Sequence, residues 1–203
     1  MSMAKQNHGG VPTDRRLLDL HASCWDRLIQ AQHDRKSEFR WMNVATVDAH
    51  SNPQIRTVVL RSVNAKNRTL TFHTDKRSSK WDELNGNRAV ALHFYARRAS
   101  VQIRMSGNVT FPNESERQEA WQHLHDGARK TYNQAAPPRS VINRPEAIQK
   151  HQAISDILAY TNFAVVHVVV SKIDWLELGQ DQHRRALFEY GEHNTLHAIW
   201  VAP

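Results

Sequence analysis

Residues 54–80 read QIRTVVLRSVNAKNRTLTFHTDKRSSK, and their pattern decides the fold class. Gln54–Val63 alternates polar and apolar residues before Val58–Leu60 run together, which predicts a strand. Asn64–Arg68 is a polar turn, and Thr69–Thr74 alternates again as a second strand. Ser78–Leu84 then reads as a helix that ends near Asn85-Gly86-Asn87. Two short strands joined by a tight turn are antiparallel, since a parallel pair needs a long crossover.

The flanks extend the pattern. Arg40–Val47, Ala89–Tyr95, Val101–Phe111, Asn162–Val170, Asp174–Leu178 and Arg184–Tyr190 read as strands, and Leu196–Val201 is a candidate last one. Ala96–Ser100 is a hairpin candidate. Leu17, Leu18, Leu20, Cys24, Trp25, Leu28 and Ile29 recur at helical spacing, which predicts a helix over Thr13–Gln32, capped by Thr13 or Asp14, with Cys24 on its core side. Glu114–His125 and Glu146–Ala159 are further helices, with a loop over Arg129–Pro145. Residues 1–12 are expected to be a disordered tail and 13–203 one domain. The sum is an α+β chain, mainly antiparallel β, forming a barrel with flanking helices. A dinucleotide fold is excluded, because strand and helix do not alternate and no GxGxxG or Walker A occurs.

Composition narrows the function. The chain has 203 residues, 27 Lys+Arg against 20 Asp+Glu, and a formal charge of +7. Arg outnumbers Lys by 19 to 8, and no run of five basic residues occurs. Scattered charge argues against nucleic acid. It suits either a solvated basic surface or a binder of a phosphorylated small molecule, the chemistry to which arginine is matched. His193 and His197, like His123 and His125, lack the Cys or carboxylate company of a metal site, so no metal is expected. The longest apolar run, Phe163–Val170, falls far short of the roughly 20 residues that span a bilayer. A lone Cys24 and an N-terminus without an apolar core predict a reducing, cytoplasmic setting.

Four segments carry chemistry, and each also has a plain structural reading. Arg56 and Arg61 bracket a β-branched strand at odd spacing and so serve different faces unless a bulge intervenes; charges at strand ends are also common. In Thr74–Lys80 a strand ends and a helix begins, with Ser78 or Ser79 near the helix start and Lys80 adding charge, an anion site or an ordinary serine cap. Gln102 and Arg104 share one face of a strand, to address a heterocycle edge or to meet solvent. Trp175 and Arg185 could flank a planar ring across a hairpin, or be a core Trp and a charged turn.

In this order, R-T-V-V-L-R, T-D-x-R-S-S-K, Q-I-R and W-L-E-L…R-R resemble the pyridoxamine 5′-phosphate oxidase-like flavin proteins, and look nearest to their short Alr4036-type branch. The resemblance covers Phe39–Gly107 and Asn162–Tyr190. It implies a split β-barrel homodimer with FMN at the subunit interface. By motif position, Arg56, Thr57, Val58, Val59 and Arg61 would line the flavin, with Arg56 on its phosphate. His73 and Thr74 would touch the cofactor, and Ser78, Ser79 and Lys80 would hold the phosphate. Ser79 stands where the family has arginine, for which Arg77 would compensate. Gln102, Trp175 and Arg185 would complete the site. The flavin carries the redox chemistry, so no catalytic side chain is expected. On the substrate side only Arg61 and His183 remain: Asp181 and Gln182 replace the first part of the family's Arg-x-His grip, so pyridoxine 5′-phosphate is a poor substrate. The implied function is an FMN-dependent oxidoreductase acting on a small molecule, with no nucleic-acid or membrane partner. The alternatives are an FMN module without catalysis, used for electron transfer or sensing, and a haem- or deazaflavin-binding barrel.

Overall fold

The computed structural model describes residues 14–144, 155–192 and 195–203. The tail, the Thr13 cap, most of the Glu146–Ala159 helix and His193 lie outside them. Helix α1 (Arg15–His33) begins at Asp14, whose carboxylate accepts from the Arg16 backbone N–H at 2.9 Å. Leu17, Cys24, Trp25, Leu28 and Ala31 form its buried stripe, so Cys24 faces the core, whereas Leu18 points outward. A short 3₁₀ turn (Glu38–Arg40) leads into the sheet.

Nine strands follow: β1 (Trp41–Val47), β2 (Pro53–Val59), β3 (Ser62–Asn64), β4 (Thr69–Asp75), β5 (Ala89–Ala96), β6 (Val101–Thr110), β7 (Phe163–Leu178), β8 (His183–Tyr190) and β9 (Leu196–Val201). The helices between them are α2 (Ser79–Gly86), α3 (Glu114–Gln122), α4 (Asp126–Arg129) and α5 (Asp156–Asn162). The sheet order is β2-β1-β5-β6-β7-β4-β3, with β8 on β7 and β9 on β8. All pairings are antiparallel, as expected.

The barrel is split, and β7 splits it. Its first half pairs with β4 and its second half with β8, while β6 runs along most of its length. The sheet stays open, but one step draws its two ends together: Leu60 N–H donates to Arg40 O at 2.9 Å, and the next residue, Arg61, donates its N–H to Thr71 O at 2.8 Å. The chain thus passes from the β1 end to the β4 end within two residues. That step breaks the single strand expected over Gln54–Val63 into β2 and β3. The core lies inside this curve, with Leu60, Phe72, Phe94, Ile103 and Phe188 fully buried.

Two strands expected over Asn162–Val170 and Asp174–Leu178 are one. Ser171, in the gap between them, is the extra residue of a bulge opposite Ser106 and Gly107. Its hydroxyl donates to Ser106 O at 3.1 Å. Gly107 faces the Val169 carbonyl so closely that an added Cβ would collide with backbone. Gly107→Ala is therefore expected to cost about 2 kcal/mol in a denaturant melt, the scale of a forced backbone shift. The expected helix Glu114–His125 ends at Gln122, and the chain turns again into α4.

Candidate functional site

The turn from β4 into α2 is organised by Asp75. Its carboxylate accepts from the Arg77 backbone N–H at 2.8 Å, and its carbonyl accepts from Ser78 N–H and from the Ser78 hydroxyl, at 3.1 and 2.6 Å. The Ser78 hydroxyl is thereby spent behind the helix and makes no cap to the α2 amides. Trp81 N–H is taken by Ser78 O at 2.9 Å, and the Ser79 and Lys80 N–H groups are left without a side-chain cap, an arrangement that favours anions. Thr74, buried at the end of β4, has its hydroxyl 3.3 Å from that of Ser78.

Arg56, from β2, reaches the same region. It pairs with Glu83 of α2 at 2.5 Å and donates to Thr46 Oγ1, which itself donates to Glu83. The Glu83 side chain is 6% exposed and that of Arg56 23%, so this is a largely desolvated pair. Lys80 lies beside it. Its ammonium sits 5.6 Å from the centre of the Phe72 ring and forms no hydrogen bond or ion pair among the described residues. Burial, then the Arg56 charge, push its pKa down to about 8, against partial support from Glu83 and Asp75. A buried cation next to another cation and an uncapped helix start is short of negative charge. A phosphate supplies what is missing, so these residues fit the phosphate of a flavin nucleotide.

Arg77 is placed differently from expectation. Its guanidinium is bound to both Asp75 oxygens, at 3.0 and 2.7 Å, and donates to Gln134 O at 2.8 Å. It braces the loop after α4 and is not available to stand in for an arginine at Ser79.

Arg61 and His73 lie elsewhere, in a cavity of about 740 Å³ between β4, β7 and the α3–α4 segment. The Arg35 and Arg40 side chains and Glu116, His123 and His167 also line it. Burial, and the nearby Arg40 charge, work against the charge on Arg61. Burial, then Arg61 and His167, push His73 down to about 3, so its imidazole is neutral at ordinary pH. Its Nδ1 is buried without a partner among the described residues. Arg56 and Arg61 thus serve separate environments, because the chain changes partner at Leu60–Arg61 and Arg61 no longer belongs to the strand of Arg56.

A third group lies on the outer face of the sheet. Thr57 donates to Asn43 Oδ1 at 2.7 Å, Asn43 meets His93 at 3.4 Å, and His93 Nε2 lies 3.1 Å from Gln102 Oε1. The register continues this face from Gln102 through Leu176 to Arg185, whose guanidinium holds Asp174 at 2.8 and 3.0 Å. Arg104 approaches the same carboxylate at 3.6 Å, on the face it shares with Gln102. Trp41, Ile55 and Tyr95 are exposed there at 55%, 70% and 42%. Trp175, one step along β7, points the other way and is buried in the core, as is Val58, while half-buried Val59 lies opposite Trp41 on the outer face. His183 lines a separate cavity of about 570 Å³ beside Arg184, Arg185 and Trp200.

Glu83, Thr46 and Asp75 were not identified from sequence. Glu83 is three residues after Lys80, but only the packing of α2 on β1 and β4 shows that Arg56 is the cation it meets.

Residues 22–113 match the family model for pyridoxamine 5′-phosphate oxidase, FMN-binding domain. A pyridoxine/pyridoxamine 5′-phosphate oxidase of Hyphomonas neptunium is 33% identical over 84 residues, which cover 41% of this chain and 37% of that protein. Pyridoxine/pyridoxamine 5′-phosphate oxidase 1 of Ralstonia nicotianae is 32% identical over 129 residues, 61% of this chain and 58% of the relative. The chain therefore spans well under two thirds of the length of the curated relatives it matches. Among solved structures, a pyridoxamine 5′-phosphate oxidase-related, FMN-binding protein from Nostoc punctiforme superposes with a TM-score of 0.70 at 23% identity, over 96% of this chain and 100% of that one. PhzG from Burkholderia lata, in complex with tetrahydrophenazine-1-carboxylic acid, gives 0.71 at 18% identity, over 95% and 94%. At these identities the two structures show a shared fold. Residues 22–113 are thus similar to the FMN-binding domain of pyridoxamine 5′-phosphate oxidase, and the chain shares the fold of these two structures.

Proposed function

We propose that the chain binds FMN, with the phosphate at the start of α2, and acts as a flavin-dependent oxidoreductase on a small molecule. The observation that carries this reading is Lys80: a mostly buried ammonium beside Arg56, without a bonded carboxylate, inside the stretch that matches an FMN-binding domain. In this reading Lys80, Arg56 and the α2 amides hold the phosphate, with the Thr74, Ser78 and Ser79 hydroxyls around it. The Thr57–Val59 stretch of β2 lines the ring, with the Thr57 and Val59 side chains on the outer face and Val58 through its backbone, since its side chain turns into the core. When bound, FMN supplies the hydride-accepting chemistry.

The remaining residues bind and orient. The cavity at Arg61 and His73 is the size of a small-molecule site. Its arginines favour an anionic group, and neutral His73 offers an uncharged ring nitrogen there. The outer face with Gln102 and Arg185 is the one a second copy covers in a homodimer, which its exposed Trp41, Ile55 and Tyr95 support. Trp175 acts from the core side, where the Arg184 guanidinium lies 5.6 Å from its ring centre, while Arg185 stands on the other face. The acidic Asp181 beside His183 disfavours a phosphorylated substrate, so pyridoxine 5′-phosphate turnover is weak in this reading.

Purified protein loaded with FMN and desalted is expected to keep the flavin absorption bands. A colourless protein, or one showing a Soret band, would overturn the proposal. The pH dependence follows from the two partners. The flavin phosphate gains its second charge near pH ~6. Lys80 loses its charge near about 8. FMN affinity is therefore expected to peak between these values. It should fall as pH rises above about 8, by up to about tenfold per unit, because binding must then take up a proton. Flavin-fluorescence titrations across that range check it.

A further inference from the structure

We infer that Arg139, delivered by the loop after α4, is a phosphate-binding residue of the α2 site. The inference rests on the FMN reading above. Arg139 Nη1 donates to the Ser79 hydroxyl at 3.2 Å, across sixty residues of chain. Among the described residues it is the one guanidinium bonded to the side chain of the first residue of α2. Arg77 is nearer in sequence, but Asp75 and the Gln134 carbonyl occupy its guanidinium.

The loop that carries Arg139 is built rather than loose. Arg77 ties it to the β4–α2 turn through Gln134 O and Ala135 O. Ser140 closes it with its N–H and hydroxyl on Pro137 O, at 3.2 and 2.7 Å. Between these anchors Arg139 takes a left-handed φ of 71°. Asp82 and Glu83 line the same cavity. Glu83 is already engaged by Arg56 and Thr46, and Arg139 forms no ion pair among the described residues. Its remaining N–H donors are therefore available to an acceptor. A guanidinium offers a planar fork that fits phosphate oxygens. With Lys80 one residue on and the first α2 amides without a side-chain cap, two cations and a helix start address one anion.

The test compares FMN with riboflavin, which has the same ring and no phosphate. Both are titrated into the wild type, Arg139→Ala and the double variant Arg139→Ala/Ser79→Arg, with flavin fluorescence as the readout. Arg139→Ala is expected to weaken FMN binding by about tenfold to a hundredfold, the scale of a lost charged hydrogen bond, and to leave riboflavin unchanged. Adding Ser79→Arg is expected to recover most of the preference for FMN. An Arg139→Ala protein that keeps the wild-type preference overturns the inference alone. A wild type that does not distinguish the two ligands overturns the FMN reading and this inference with it.

Discussion

Truncating Arg56 to alanine is expected to destabilise the fold by about 3 kcal/mol, the cost of leaving a buried carboxylate without its partner. The carboxylate is Glu83, whose side chain is 6% exposed and whose partners are Arg56 and Thr46. The companion variant decides the cause. If the loss comes from the stranded charge, Arg56→Ala/Glu83→Gln should recover at least half of it, since the amide carries no charge to desolvate. Urea melts of the two variants measure this. An equal loss in both would mean that Arg56 contributes by packing and not by pairing. The experiment also separates two roles, because Arg56 both neutralises Glu83 and, in the proposed site, faces the phosphate.

Lys80 separates them more cleanly. Lys80→Met is expected to leave the apo fold as stable as before, or more so, while weakening FMN by on the order of 100-fold, the worth of a charged hydrogen bond of about 3 kcal/mol. The stability half follows from the sign of its shift. The folded-state pKa is pushed down from 10.5 to about 8, so the folded state disfavours the ammonium. That penalty is complete below about 8 and fades as pH rises toward 10.5. Methionine has nearly the same length and carries no such penalty. The outcome is a variant that melts no lower yet binds FMN on the order of 100-fold more weakly. A variant that melts several degrees lower would show that Lys80 is a structural cation.

The sequence made the strands legible wherever alternation was regular. Residues 54–80 announce β2, β4 and α2 because their apolar positions follow period 2 and a serine precedes the helix. The break at Leu60–Arg61 was hidden, since the apolar run continues while the hydrogen-bond partner changes from Arg40 to Thr71. The gap left between Val170 and Asp174 had the opposite cause: the strand runs on through it, with Ser171 as the extra residue of a bulge that alternation does not reveal. The cations of the site were visible as residue types, but their partners were not. Glu83 and Arg139 reach Arg56 and Ser79 from 27 and 60 residues away. No local pattern records such contacts. Arg77 was assigned to Ser79 on proximity in sequence, but Asp75, two residues before it, holds its guanidinium.

The central claim is that this fold holds a flavin by its phosphate at the start of α2. Parallel equilibrium titrations of the wild-type protein with FMN and riboflavin, near pH ~7 and at low salt, test it most directly. Such a site, with at least two cations on a dianion, predicts FMN binding tighter by roughly 100-fold or more, with one flavin per chain. Equal affinities, or no binding of either, would contradict it.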